Sequence, residues 1–202
     1  MRWARWIFWA LIVSFVGAML HYTLPQRDVV WVIETTEIRT SFSSFNRMFY
    51  TSGDSGGGTN LDERDIRFIR TTRPDGRVSV YRNEDTGLFG WPPYFKTRSE
   101  DLQAEAGALV SNADAPQWVL ITHYGWRSNA LSVYPNAVSI RPVDGPEDKP
   151  FPWSNLIIMV LLAAAVFGLW RLWERFEDRV IDPVVDWILV RWAKLKDRVQ
   201  GR

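Results

Sequence analysis

The sequence predicts an α+β protein: two transmembrane helices flanking a periplasmic domain with an antiparallel sheet and one packed helix, plus a C-terminal amphipathic helix. Three observations carry this expectation. Residues 156–170, LIIMVLLAAAVFGLW, are all apolar or glycine, and with residues 151–155 they reach the roughly 20 residues that a helix needs to cross a bilayer core. A second apolar run, Ile7 to Leu24, lies near the other end of the chain, after Arg2 and Arg5 and before Pro25. Between the two, residues 25–150 alternate β-rich runs with turn signals and hold one short helical stripe.

The first run reads as an uncleaved anchor. It is longer than the apolar part of a secretory signal, and its end, MLHYTLPQ, lacks a small-residue cleavage pattern. His21 then falls at the outer interface as a partly solvated side chain. Arg2 and Arg5 precede this span, and Arg171, Arg175 and Arg179 follow the second, so the positive-inside rule places both termini in the cytoplasm and the middle of the chain outside. In a bacterial inner membrane, outside is the periplasm. The expected divisions are a cytoplasmic N-terminus (1–5), a first span (6–24), a periplasmic domain (25–150), a second span (151–172) and a cytoplasmic tail (173–202). Ala10, Ser14 and Ala18 share one face of the first span, and Ala164 and Gly168 make a notch in the second. Both are candidate helix-packing positions, since small residues let backbones approach in lipid.

In the outer segment, Val29 to Glu34 reads as a strand. Arg64–Thr72 and Arg77–Arg82 read as a hairpin about the turn Arg-Pro-Asp-Gly, with Arg64, Arg67, Arg70, Arg77 and Arg82 as outward or edge charges. The stretch GWPPYFK, Gly90–Lys96, cannot continue a helix or a central strand and reads as an aromatic loop. Thr97 and Glu100 form a capping-box pattern ahead of a helical stripe of Leu102, Ala106, Leu109 and Val110. Trp118–Tyr124 is the expected central strand, with Ala130–Tyr134 and Ala137–Ile140 as shorter strands. Beyond the second span, Asp182-Pro183 is expected to stop one helix and start another, whose stripe of Val185, Ile188, Trp192, Leu195 and Val199 suits a membrane surface or a protein groove.

Composition narrows the function classes. The 202 residues carry a formal net charge of +1, which gives no basic surface for nucleic acid. There is no cysteine, so disulfides, thiolate nucleophiles and cysteine metal sites are excluded. Many of the 12 tryptophans stand beside the apolar runs, where amphipathic rings suit the headgroup level. The motif GDSGGG, Gly53–Gly58, resembles the nucleophile loop of trypsin-like proteases, yet the histidine upstream of it is His21, within the anchor. A surface loop accounts for it. The densest set of functional side chains is THYGWR, with His123, Tyr124, Trp126 and Arg127, expected to end the central strand and pack on Trp91 and Tyr94. These six residues are the candidate interaction or ligand cluster. One histidine is too few for a typical zinc site, and the carboxylates Asp62, Glu63, Asp65, Glu84 and Asp85 match no calcium loop, so no cofactor or metal is expected.

The stretches HYTLP (His21–Pro25), VYRNEDTG (Val80–Gly87), GWPPYFK, LQAEA (Leu102–Ala106), THYGWR and YPNAV (Tyr134–Val138) together resemble an uncharacterised family of alphaproteobacterial membrane proteins, domain of unknown function 1523. The resemblance implies a two-span inner-membrane protein and brings no catalytic residues with it. The resulting expectation is a non-enzymatic accessory or assembly protein of a membrane complex, in contact with the lipid bilayer and with a membrane-protein partner or a second copy of itself. The alternative is a periplasmic enzyme or small-ligand sensor centred on His123 and Arg127. A concave polar pocket around His123 favours the alternative; burial against Trp91 or Tyr94 opposes it.

Overall fold

A computed structural model describes residues 2–41, 49–50, 63–87, 90–128 and 130–199. The GDSGGG motif and Asp62 lie outside them. The protein is α+β, with a five-strand mixed sheet, and it divides into two units, residues 1–151 and 152–202.

The first unit opens with α1 (Arg2–Thr23), an exposed apolar helix long enough to cross a membrane. The helix runs almost directly into β1 (Gln26–Ser41), with β2 (Glu63–Thr72), β3 (Val78–Arg82), α2 (Ser99–Ala108), β4 (Trp118–Tyr124) and β5 (Asn136–Pro142) following. The strands close into a barrel in the order β1-β2-β3-β5-β4. β1 makes the closure possible because it is long and serves two partners. Its first half, to Trp31, pairs with β4, and its second half, from Trp31, pairs with β2. A bulge between Val32 and Glu34 lies at the changeover, where an extra residue bends a strand and increases its twist. The pairing is antiparallel except between β3 and β5, which meet in parallel at Arg82 and Asn136, so the expected all-antiparallel sheet is corrected to a mixed one.

Alternation along the strands fills the barrel. Val30 and Val32, Ile69, Tyr81, Val119 and Ile121, and Ala137 and Ile140 form one core with Leu102 and Ala106 of α2. Burying each such aliphatic side chain stabilises the fold by roughly 1.5–3 kcal/mol. Tyr50, Ile66 and Phe68 form a second cluster, with Phe49, Val80 and Tyr134 packed on it.

Three local expectations are corrected. The capping box at Thr97 and Glu100 is not formed: Arg98 occupies the cap position without a side-chain bond, and Asp85 Oδ1 accepts the Ser99 N–H at 2.9 Å instead. A carboxylate from a preceding loop thus meets the positive end of α2, and Glu100 is left to pair with Arg67 at 3.1 Å. Residues 130–134 are a turn rather than a strand, touching Ser128 only through an isolated bridge at Val133, with Ser132 at φ +51°. Arg82 is not an outward charge but 1 % exposed, because Tyr50 covers it and Glu84 pairs with it at 2.8 Å.

The second unit is helical: α3 (Trp153–Phe176), a π-helical turn (Glu177–Ile181) and α4 (Asp182–Val199). Residues 153–192 form a continuous helical stretch apolar and long enough to cross a membrane. The expected stop at Asp182-Pro183 does not occur. Pro183 lacks an N–H, and its ring would crowd the carbonyl four residues back; the wider turn before it gives the room, with the Asp182 N–H reaching back five residues to the Glu177 carbonyl. In α4 the Arg191 guanidinium lies 4.6 Å over the ring of Trp187.

Candidate functional site

The same two-residue period that fills the core also builds a polar mouth. On β1 the positions of Val30 and Val32 continue to Asp28; on β4 those of Val119 and Ile121 continue to His123; on β3 Tyr81 and Ser79 follow one another. Polar residues therefore occupy core-facing positions at the end of the barrel next to α1. The turn between β2 and β3, closed by the Gly76 N–H on the Arg73 carbonyl with Gly76 at φ +78°, brings Arg73 to the same place.

Tyr81, Arg73 and His123 converge on one oxygen of Asp28. Asp28 Oδ2 accepts the Tyr81 hydroxyl at 2.7 Å and Arg73 Nη2 at 2.8 Å, and lies 3.1 Å from His123 Nε2. Burial by itself would raise the Asp28 pKa, but the hydrogen bonds from His123 and Tyr81 and the charges of His123 and Arg73 outweigh it and hold the carboxyl well below the usual carboxylate range. Burial and the adjacent Asp28 charge push the Tyr81 phenol up, so it stays a donor. Arg73 is braced from its other side, Nε donating to Ser79 Oγ at 2.7 Å. His123 stands against Tyr81, ring centres 5.0 Å apart, and its Nδ1 is buried with no hydrogen-bond partner among the described residues.

This constellation lines a cavity of about 400 Å³ whose rim is His21, Gln26, Gly125, Trp126 and Arg127. Gly125 is needed there: it sits at φ +96° and donates its N–H to the Tyr22 carbonyl at 2.9 Å, tying the end of β4 to α1. Trp126 Nε1 donates to His21 Nδ1 at 3.0 Å and its ring meets Tyr22 edge-on at 5.3 Å. Arg127 Nη1 reaches the Val78 carbonyl at 3.4 Å. A second cavity of about 300 Å³ adjoins Asp28 and Arg73 and adds Asp75 and Lys149.

The six residues picked from the sequence therefore divide. His123, Trp126 and Arg127 line the mouth. Tyr124 is buried beside it, accepting Asn136 Nδ2 at 3.0 Å and stacking on Tyr94 with ring centres 4.8 Å apart and planes 9° from parallel. Tyr94 donates its hydroxyl to the Thr23 carbonyl at 2.7 Å. Trp91 stands exposed and joins neither group. His123 is thus buried against Tyr81 in a polar cavity, and not against Trp91 or Tyr94. Asp28, Arg73 and Tyr81 are absent from the six. Their one sequence signal is an aspartate opening a β-branched run, where strands disfavour it.

A second polar cluster explains much of VYRNEDTG and YPNAV. Asn136 donates to the Glu84 carbonyl and accepts the Glu84 N–H, both at 2.9 Å. Asn83 Nδ2 bridges the Ser99 carbonyl and Gln103 Oε1, at 2.7 and 2.8 Å. Lys96 Nζ is buried on Asn83 Oδ1 and the Ala137 carbonyl. Burial pulls the Lys96 pKa down to about 7, against the raising influence of Asp85 and Glu84. Among the described residues no group of three histidines, cysteines or carboxylates is placed to hold a metal ion. The helix-packing candidates Ala10, Ser14 and Ala18 lie exposed along α1, and Ala164 is exposed on α3, with Gly168 one turn further on.

A small β-barrel with a polar mouth, led by an apolar helix, is the class of protein defined here. The chain belongs to the family described as "Protein of unknown function (DUF1523)", whose model matches residues 1–177. It is similar to an uncharacterized protein of Haemophilus influenzae, 34% identical over 157 residues, covering 78% of this chain and 84% of the relative. No solved structure matches.

Proposed function

We propose that this chain is a two-span inner-membrane protein whose periplasmic barrel binds a small anionic ligand at its mouth, with both termini in the cytoplasm. The observation that carries the reading is the cluster on Asp28. Three groups surround its one oxygen, so the only carboxylate among the described residues lining the cavity is compensated by Arg73, His123 and Tyr81, and the exposed Arg127 guanidinium at the rim adds a positive charge that favours a carboxylate or phosphate group. Binding is favoured over acid-base catalysis because His123 Nε2 is committed to Asp28 and Nδ1 is sealed from solvent, which leaves no nitrogen to exchange a proton with a ligand. This moves the weight from docking of a partner protein to recognition of a small molecule.

Full-length protein in mild detergent, titrated with inorganic phosphate, glycerol phosphate and citrate at constant ionic strength, should rise in Tm saturably, as mass action requires of a ligand that binds the native state. Chloride should not reproduce the rise, and Arg127→Gln should abolish it. A rise equal for all salts, or unchanged in Arg127→Gln, would overturn the reading. Topology is tested on the natural absence of cysteine. Asp144→Cys should react with an impermeant maleimide on spheroplasts and Asp186→Cys only after lysis; the reverse pattern would invert the proposed orientation.

A further inference from the structure

Residues 91–96 alternate in and out against the barrel. Pro92, Tyr94 and Lys96 turn inward, whereas Trp91, Pro93 and Phe95 are exposed, so three consecutive outward positions are apolar. Trp91 is 62% exposed and Phe95 61%. The inward residues fix where this stripe sits. The Tyr94 hydroxyl is bonded to the carbonyl of Thr23, the last residue of α1, and its ring is stacked on Tyr124. Trp91 and Phe95 are therefore carried within a few residues of a fixed contact with the foot of the helix, at the level where it leaves the apolar run. Phe95 also holds φ +51°. A left-handed backbone is unfavourable for a bulky residue, yet most of the ring it presents stays outside the domain. A third exposed ring is tied to the same end: Phe151, 60% exposed, whose carbonyl accepts Arg27 Nη1 at 3.0 Å, one residue into β1.

From these positions we propose that the Trp91–Phe95 stripe is a membrane-interface anchor: the outward rings enter the headgroup region of the leaflet from which α1 emerges and hold the barrel down on it. The occupant is the lipid bilayer, because the stripe is pinned to the end of a helix apolar enough to span one, and because aromatic rings with apolar bodies partition to that depth. The anchor rests on α1 crossing the membrane, and it is independent of any ligand at the barrel mouth. Its consequence is that the mouth, whose rim includes His21 of the same helix end, is presented at the lipid surface rather than to the open compartment.

The test is depth measurement by single spin labels in vesicles of phosphatidylcholine and phosphatidylglycerol in equal parts. Labels are placed through Pro93→Cys, with Thr97→Cys as a second reporter that leaves the loop prolines intact, Val13→Cys in the middle of α1, and Glu105→Cys on α2 as the aqueous reference. The Val13 label should collide mainly with oxygen and the Glu105 label mainly with a nickel chelate. The Pro93 and Thr97 labels should show an oxygen-to-nickel ratio several-fold above that of Glu105, falling to the Glu105 value when Trp91→Ser and Phe95→Ser are added together. Pro93 and Thr97 labels as nickel-accessible as Glu105, with Val13 deep, would overturn the anchor while leaving the span standing, as would a ratio that the double substitution does not change. A nickel-accessible Val13 label would remove the span itself and the anchor with it.

Discussion

The barrel holds two polar clusters built from the same kinds of residue, and they differ in where they end. At the Arg82 cluster, Glu84, Asn83, Asn136 and Lys96 form a closed lattice with backbone carbonyls and N–H groups, between β3, α2 and β5. At the Asp28 cluster the lattice is just as dense on one side, yet the other side opens on a cavity with Arg127, Trp126 and His21 at its rim. Closure marks a cluster that fixes loop conformation; an open side marks one that can receive a ligand. The Arg82 cluster should accordingly govern stability, and the rim of the Asp28 cluster should govern recognition.

The largest expected effect is on the closed side. Arg82→Ala removes one half of an ion pair whose side chains are 2% and 10% exposed. Breaking a buried pair this way costs about 3–5 kcal/mol, because the remaining charge stays desolvated. Thermal unfolding of the full-length variant should fall by many degrees, and a fall of only a degree or two would show that the cluster carries no structural weight.

The Lys96 ammonium predicts the direction of the pH dependence. Its native pKa lies near 7 and its unfolded value near 10.5, so between these the unfolded chain binds a proton that the native chain does not. Stability then rises with pH across that window, and below about 7 the burden of the buried charge is fully present. Tyr81 has the opposite sign: its raised native pKa makes stability fall above the unfolded tyrosine value of 10.0. Melting curves should climb from neutral pH toward that value and turn down beyond it, and Lys96→Met should flatten the climb. A climb that persists in Lys96→Met would assign the effect to another group.

A smaller effect belongs to the floor of the open cluster. Asp28→Asn keeps an acceptor but loses the charge that His123 and Arg73 face, a difference of about 1–3 kcal/mol for charge-assisted bonds. Because the native Asp28 pKa is depressed, the stabilisation is present above the unfolded value of 3.8 and is lost as pH falls below it. The difference in Tm between wild type and Asp28→Asn should therefore shrink on acidification. A constant difference down to low pH would mean that the contribution is packing rather than charge.

These contrasts also explain what could be read in advance. The hairpin across Arg73–Gly76 and the strand Trp118–Tyr124 were legible because a turn signal or an apolar run defines each locally. Barrel closure was not, since it depends on β1 changing partners at Trp31 and on β3 meeting β5 in parallel, neither of which leaves a periodic trace. Arg82 was misread for a related reason: its position on β3 alternates outward from Tyr81, and Tyr50, 32 residues earlier, covers that face. His123 and Arg127 stood out by residue type within six positions of chain. Asp28 and Arg73, 45 residues apart, acquire meaning only when the register sets them 2.8 Å from one another.

The smallest stability effect should fall at the rim, where it separates the two clusters most sharply. Arg127 is exposed, and the bond it makes to the Val78 carbonyl is long at 3.4 Å. Surface substitutions of this kind usually change stability by less than about 0.5 kcal/mol. Arg127→Gln should melt with the wild type at every pH while losing the saturable response to phosphate, glycerol phosphate and citrate. Asp28→Asn should keep that response, because it takes a negative charge out of the cavity and leaves Arg73 and Arg127 in place. If Arg127→Gln instead unfolds as readily as Arg82→Ala, the rim is part of the closed lattice. The distinction between a cluster that holds the fold and one that faces a ligand would then fail.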